Sequence, residues 1–141
     1  MYKHKNDGQC LKCLSIIQRY SGFHFGLFKW FQALQLKHPE AHISCAGRGR
    51  QDQEEVFHRG ASRARFGESA HNYNAALDLF KNQGNDLYDR SWFQLVVAPA
   101  IRGTDFEWYG SPGAAFPELP HVQVKAWRAL ADNDQLTKVE E

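Results

Sequence analysis

Of the 141 residues only one is methionine, three are cysteine and five are proline. The thiols Cys10, Cys13 and Cys45 form an odd set, which argues against a disulfide framework. No apolar run approaches the roughly 18 residues that cross a bilayer, so membrane insertion is not expected. An excess of one charge is missing too, since 17 Lys and Arg against 16 Asp and Glu leave a formal net charge of +1. Such a chain has no overall pull toward nucleic acid or anionic lipid, and its partner must be recognised by local chemistry. Residues 1–7 lead into no hydrophobic segment with a small-residue cleavage site, which predicts residence in the cytoplasm until another agent releases the protein toward the cell wall. No internal repeat, low-complexity tract or linker interrupts the chain, so residues 1–141 are expected to form one domain and a monomer. Within it, helices over 8–38 precede a core over 43–125, and a polar tail over 133–141 is expected to fray.

Periodicity places the elements. Residues 8–20 read as a helix stopped by Ser21-Gly22, and 25–38 as a core helix stopped by Pro39. Residues 42–46 alternate as a short strand, 52–59 read as a helix ended by Gly60, and 61–68 as a basic loop. Alternation returns over 75–80, with Ala76, Asp78 and Phe80 on one face, and over 121–125, with His121 and Gln123 on one face. Between these, 91–101 reads as a helix bent at Pro99, and 108–120 as a long irregular loop. Helices and short alternating strands in this order predict an α+β fold. Cys10 and Cys13 join Leu14 and Ile17 in an apolar helical stripe; a four-thiolate metal site would need a second pair that the chain lacks. His4, His38, His42 and His58 read as terminal or surface residues, and Trp30, Trp92 and Trp127 as core rings.

Chemistry concentrates in two stretches, Ser69-Ala-His-Asn-Tyr-Asn-Ala-Ala-Leu-Asp78 and Glu118-Leu-Pro-His121. They supply two imidazoles, a carboxylate ligand and a spare acid. That is the inventory of a catalytic zinc site, which needs three protein ligands, one open corner for water and a base beside it. A structural zinc site fills all four positions and has no use for the spare acid. His71 entering from a loop, Asp78 on the following strand and His121 on another strand would converge on one sheet face. Glu118, just before His121, would accept the water proton and return it to a leaving amine.

These residues resemble the zinc D-alanyl-D-alanine carboxypeptidase and L-alanyl-D-glutamate endopeptidase family, whose fold is shared with the N-terminal domain of Hedgehog proteins. Ser69, His71, Ala76 and Asp78 match its first motif, and Glu118, Pro120 and His121 its second. Arg48, Gln53 and Gly60-Ala61-Ser62 fall at the spacing of its upstream segment, and Trp108-Tyr109-Gly110 looks like its Trp-Gly-Gly-like stretch. Asn74 stands where the family has Gly, tolerable if the backbone there needs positive φ, and Val122 where an aromatic is common. The resemblance implies a small antiparallel sheet with flanking helices. It implies Zn2+ on His71, Asp78 and His121, Glu118 as base, Arg48 at the developing oxyanion or a substrate carboxylate, and Ser69, Gln53 and Trp108 toward the substrate.

The implied activity is hydrolysis of the bacterial peptidoglycan stem peptide, in the manner of a phage endolysin that cuts between L-alanine and D-glutamate. D-Alanyl-D-alanine carboxypeptidase activity is the alternative. A metal-binding module without turnover is disfavoured by the presence of both Glu118 and Arg48. A nucleic-acid binder acting through Arg48, Arg50, Arg59, Arg63 and Arg65 is disfavoured because Asp52, Glu54, Glu55 and Glu68 are interspersed with them.

Overall fold

Four antiparallel strands carry the molecule. In a computed structural model, which describes residues 3–110 and 118–139, their spatial order is β1-β2-β4-β3. β1 (Ala41–Cys45) and β3 (Phe106–Trp108) are the edges, and β2 (Ala76–Lys81) and β4 (His121–Val124) the centre. All four residues of β4 are buried, so the middle of the sheet is covered on both faces. The fold is α+β, a small antiparallel sheet with flanking helices.

Register decides which side chains meet. Asp78 of β2 lies opposite Cys45 of β1 and opposite His121 of β4, and Gln123 of β4 lies opposite Glu107 of β3. Cross-strand partners share a face, so one polar face collects Cys45, Asp78, His121, Gln123 and Glu107. Cys45 reaches this row through a bulge between Ile43 and Cys45, which turns the end of β1. The opposite face is apolar: Ile43, Leu77, Leu79 and Val122 are inaccessible to solvent, as are Leu27 of α2 (Phe25–Lys37) and Phe93.

The helices form where the sequence predicts them, with shifted ends. α1 spans Leu11–Ile17 rather than 8–20, because Gly8 has φ of +83° and Cys10 is the residue that caps the helix. α2 begins where the His24 ring accepts from the Leu27 amide, and buries Leu27, Phe31 and Leu34. α3 is Arg50–His58, with Gln53 its one buried residue. The helix expected over 91–101 is broken into α4 (Arg90–Trp92), a π-helical turn (Phe93–Val97) and α5 (Ala98–Ile101). Pro99 has no N–H to give the carbonyl of Leu95, and the widened turn precedes it.

Other expectations need correction. The irregular loop over 108–120 begins after a strand, β3, whose three residues are too short for alternation to reveal; its residues 111–117 lie outside the described ones. A helix not expected from the sequence, α6 (Trp127–Asp132), follows β4. The tail expected to fray is held at least to Val139, which is 3% exposed and whose amide donates to the Asn72 carbonyl at 2.8 Å. Nor is His42 a surface turn residue: it is fully buried in β1. Among the described residues, no helix is long and apolar enough to cross a membrane.

Candidate metal centre and cleft

The site is built around a single 3-10 turn, Ala70–Tyr73, between the basic loop and β2. Ser69 caps it: its hydroxyl accepts from the His71 amide at 3.2 Å, while Asn72 Oδ1 accepts from the amides of Ser69 and Gly67. The turn is closed by Asn74 in the left-handed region (φ 55°, ψ 36°), as the sequence reading requires of an Asn standing where Gly is usual. The Asn72 side chain is a buried strut, donating to the Arg48 carbonyl (3.0 Å) and to Gln53 Oε1 (3.1 Å). Thus the turn that carries His71 is bolted to the loop that carries Arg48.

His71, Asp78 and His121 converge, joined through Asp78. One carboxylate oxygen, Oδ1, lies 3.1 Å from His71 Nε2 and 3.3 Å from His121 Nδ1, and the two rings are 5.1 Å apart in a T-shaped arrangement. Asp78 belongs to both close groups of donor atoms here, one with Glu118 and His121, the other with Cys45 and His71. The far nitrogen of each ring fixes its tautomer. His71 Nδ1–H donates to the Ala46 carbonyl at 2.6 Å. His121 Nε2–H donates to Gln123 Oε1 at 2.7 Å, and that amide is oriented because its nitrogen donates to Glu107 Oε1 and Tyr109 Oη. Two imidazole lone pairs and a carboxylate oxygen therefore face one another with no hydrogen between them unless a cation is supplied.

That is the fit expected of a metal-binding group. In the metal-free chain a proton serves: burial opposes charge on His71, but Asp78 and Cys45 outweigh it and raise its pKa to about 10. Burial likewise opposes the Asp78 anion, and the two imidazoles overcome this to hold its carboxyl well below the usual range. The Cys45 thiol is lowered as well, because His71 and Arg48 outweigh its burial. A divalent ion held by the same lone pairs would take the place of the proton.

Arg48 is tethered to this group through Asp78. Its guanidinium donates to Asp78 Oδ2 (3.3 Å), Gln53 Oε1 (3.2 Å) and Cys45 Sγ (3.5 Å). Gln53, read from the sequence as facing substrate, is inaccessible to solvent and serves instead to aim Arg48, with its own amide nitrogen donating to the Ala64 carbonyl at 2.6 Å. Trp108 is also a core residue: it is 5% exposed, stacks on Phe93, and donates its indole N–H to the Leu119 carbonyl. The neighbouring Tyr109 is the ring at the cleft, tilted against His121 with centroids 4.8 Å apart.

Glu118 stands beside the ligands and is pinned by its backbone, whose amide donates to the Tyr109 carbonyl and whose carbonyl accepts from the His121 amide. It lines both a small inner pocket of about 180 Å³, with Arg48, His71, Asp78 and His121, and an open outer cleft of about 680 Å³. Ser69 borders both spaces, and Arg63, Tyr109 and Arg128 border the outer one. Sequence alone assigns no role to Cys45, Asn72 or Gln123. A bulge hides the first, and the others act only through the residues they hold. Replacing Gln123 by Leu frees the His121 tautomer, and is expected to weaken metal affinity about 10- to 100-fold, measured by competition with a chelator.

Comparison with solved structures matches the fold of the chain. The chain is similar to the crystal structure of the Serratia marcescens L-Ala D-Glu endopeptidase ChiX, with a TM-score of 0.62 and 22% identity over 86% of this chain and 89% of that one. No protein-family model matches the sequence, and no curated protein does.

Proposed function

We propose that this protein is a zinc-dependent peptidoglycan peptidase that hydrolyses the bond between L-alanine and D-glutamate in the stem peptide. The observation that carries the reading is the pair of preset imidazole lone pairs aimed at Asp78 in the inner pocket, with Glu118 alongside. The fold shared with the Serratia marcescens L-Ala D-Glu endopeptidase supports the choice of substrate.

His71, Asp78 and His121 would hold the metal. When bound, zinc supplies Lewis acidity that polarises a carbonyl and makes water a nucleophile near neutral pH. Glu118 takes the proton from the attacking water and delivers it to the departing amine, which its place between inner pocket and cleft allows. Arg48 orients Asp78 through its bond to Oδ2 and lines the inner pocket. Ser69 and Tyr109 border the peptide's path, and Arg63 and Arg128 lend positive charge to a cleft that must accept a substrate bearing carboxylates.

Digestion of purified cell wall, followed by identification of newly exposed termini, tests the assignment. New D-glutamate amino termini are expected. Release of free D-alanine with no new internal terminus would instead establish carboxypeptidase action, and intact wall would remove the reading altogether.

A further inference from the structure

A second cluster of metal-ligating side chains lies on the same sheet face, one cross-strand pair along from Asp78, where His42 of β1 opposes Phe80 of β2. Around His42 gather His4 from the N-terminal arm and Cys10 and Cys13 from the start of α1. His4 Nδ1 is 3.7 Å from Cys10 Sγ and 3.5 Å from Cys13 Sγ. His42 Nδ1 is 3.3 Å from Cys13 Sγ and 3.1 Å from His4 Nδ1. A tetrahedral zinc ion with ordinary Zn–S and Zn–N bonds sets its ligand atoms about 3.3 to 3.8 Å apart, so four atoms from three separate segments already sit at nearly that spacing.

The surroundings match a ligand set as well. Asn6 Oδ1 lies 2.7 Å from His42 Nε2, and the Asn6 amide nitrogen donates to the Asn82 carbonyl, which fixes the oxygen toward the ring. Nε2 therefore carries the hydrogen, and Nδ1 turns a bare lone pair into the cluster. Cys13 Sγ accepts from the Ile43 amide (3.4 Å) and from Gln35 Nε2 (3.5 Å), and Cys10 Sγ from the Cys13 amide (3.5 Å). Burial pushes the Cys13 thiol up to about 12 and the Ile43 and Gln35 donors only partly oppose it, so a bound cation is what would draw the proton off. Two thiolates and two neutral imidazoles around a divalent cation sum to zero charge, which suits a site where Cys10, Cys13 and His42 are at most 3% exposed.

We propose that His4, Cys10, Cys13 and His42 form a structural zinc site, distinct from the catalytic cleft, that fastens the N-terminal arm and α1 to the edge strand β1. Four protein ligands leave no corner for water, so the site binds without reacting. This departs from the sequence expectation, in which the thiols are an apolar stripe and the two histidines are unconnected. The second pair of ligands was imidazole, supplied from positions that only the fold brings together.

The test counts metal and sulfur ligation on the full chain. Elemental analysis is expected to give two zinc ions per chain, falling to one in His71→Ala and to one in a Cys10→Ser, Cys13→Ser double variant, with the latter melting more than about 5 °C lower. Cobalt-loaded wild type is expected to show a thiolate-to-cobalt charge-transfer band that survives both His71→Ala and Cys45→Ser. If the double variant fails to fold, mercurial titration of wild type decides: one zinc ion should leave as two thiols react. A band absent from wild type, a band lost in Cys45→Ser, or thiols that react with no metal released would overturn the proposal. None of these readings depends on wall hydrolysis, so they stand or fall separately from the enzymatic assignment.

Discussion

Substituting Glu118 by Gln is expected to lower kcat for wall hydrolysis by about 10²- to 10⁴-fold, with metal content unchanged. The amide has the same shape and cannot take a proton. The backbone of Glu118 is held on both sides, by the Tyr109 carbonyl and the His121 amide, so the change should not displace the chain. Glu118 lies close enough to Asp78 and His121 for its oxygen to reach the metal itself. Metal analysis therefore separates two roles. Lost turnover with full metal content identifies a base, lost metal identifies a ligand, and unchanged turnover contradicts the mechanism.

Asp78→Asn should be more damaging. Its carboxylate is the shared partner of His71, His121 and Arg48, at 3.1, 3.3 and 3.3 Å. Removing its charge takes away a proposed ligand and leaves Arg48, whose side chain is only 13% exposed, without its anion. Activity is expected to fall about a thousandfold or more, the several kcal/mol that a bound metal contributes to charge stabilisation. Stability of the metal-free chain should fall by about 3 to 5 kcal/mol, the usual result of stripping one partner from a buried ion pair. Denaturant unfolding in excess chelator measures the second effect apart from the first. Equal stability of variant and wild type under those conditions would show that the Arg48–Asp78 contact is dispensable for the fold.

The order of elements around the site was legible because each has a local cause. Pro39 stops α2, Gly60 follows α3, and alternation over 75–80 and 121–125 marks the two central strands. Asp78 and His121 could be paired from sequence since both lie on alternating segments. The features with no mark in the sequence depend on distant partners. The bulge that brings Cys45 opposite Asp78 leaves no mark in composition, and β3 is too short to show a period. Gln53 carries the spacing of a substrate contact and the burial of a strut, a difference that only the surrounding Asn72 and Ala64 reveal. Trp108 likewise reads as a loop ring until its strand and its bond to Leu119 are seen. His4 and His42 are the plainest case, because ligand sets drawn from three segments have no signature in any one of them.

The amide of Val139 and the carbonyl of Thr137 both bond to residues of the turn that presents His71, the first to Asn72 and the second to Asn74. Proteolytic removal of residues 137–141 would therefore loosen the turn that carries His71 without touching the cleft wall. An affinity tag is safer when a flexible spacer separates it from Val139, and a shortened variant with weak activity would report on this anchorage and not on the chemistry.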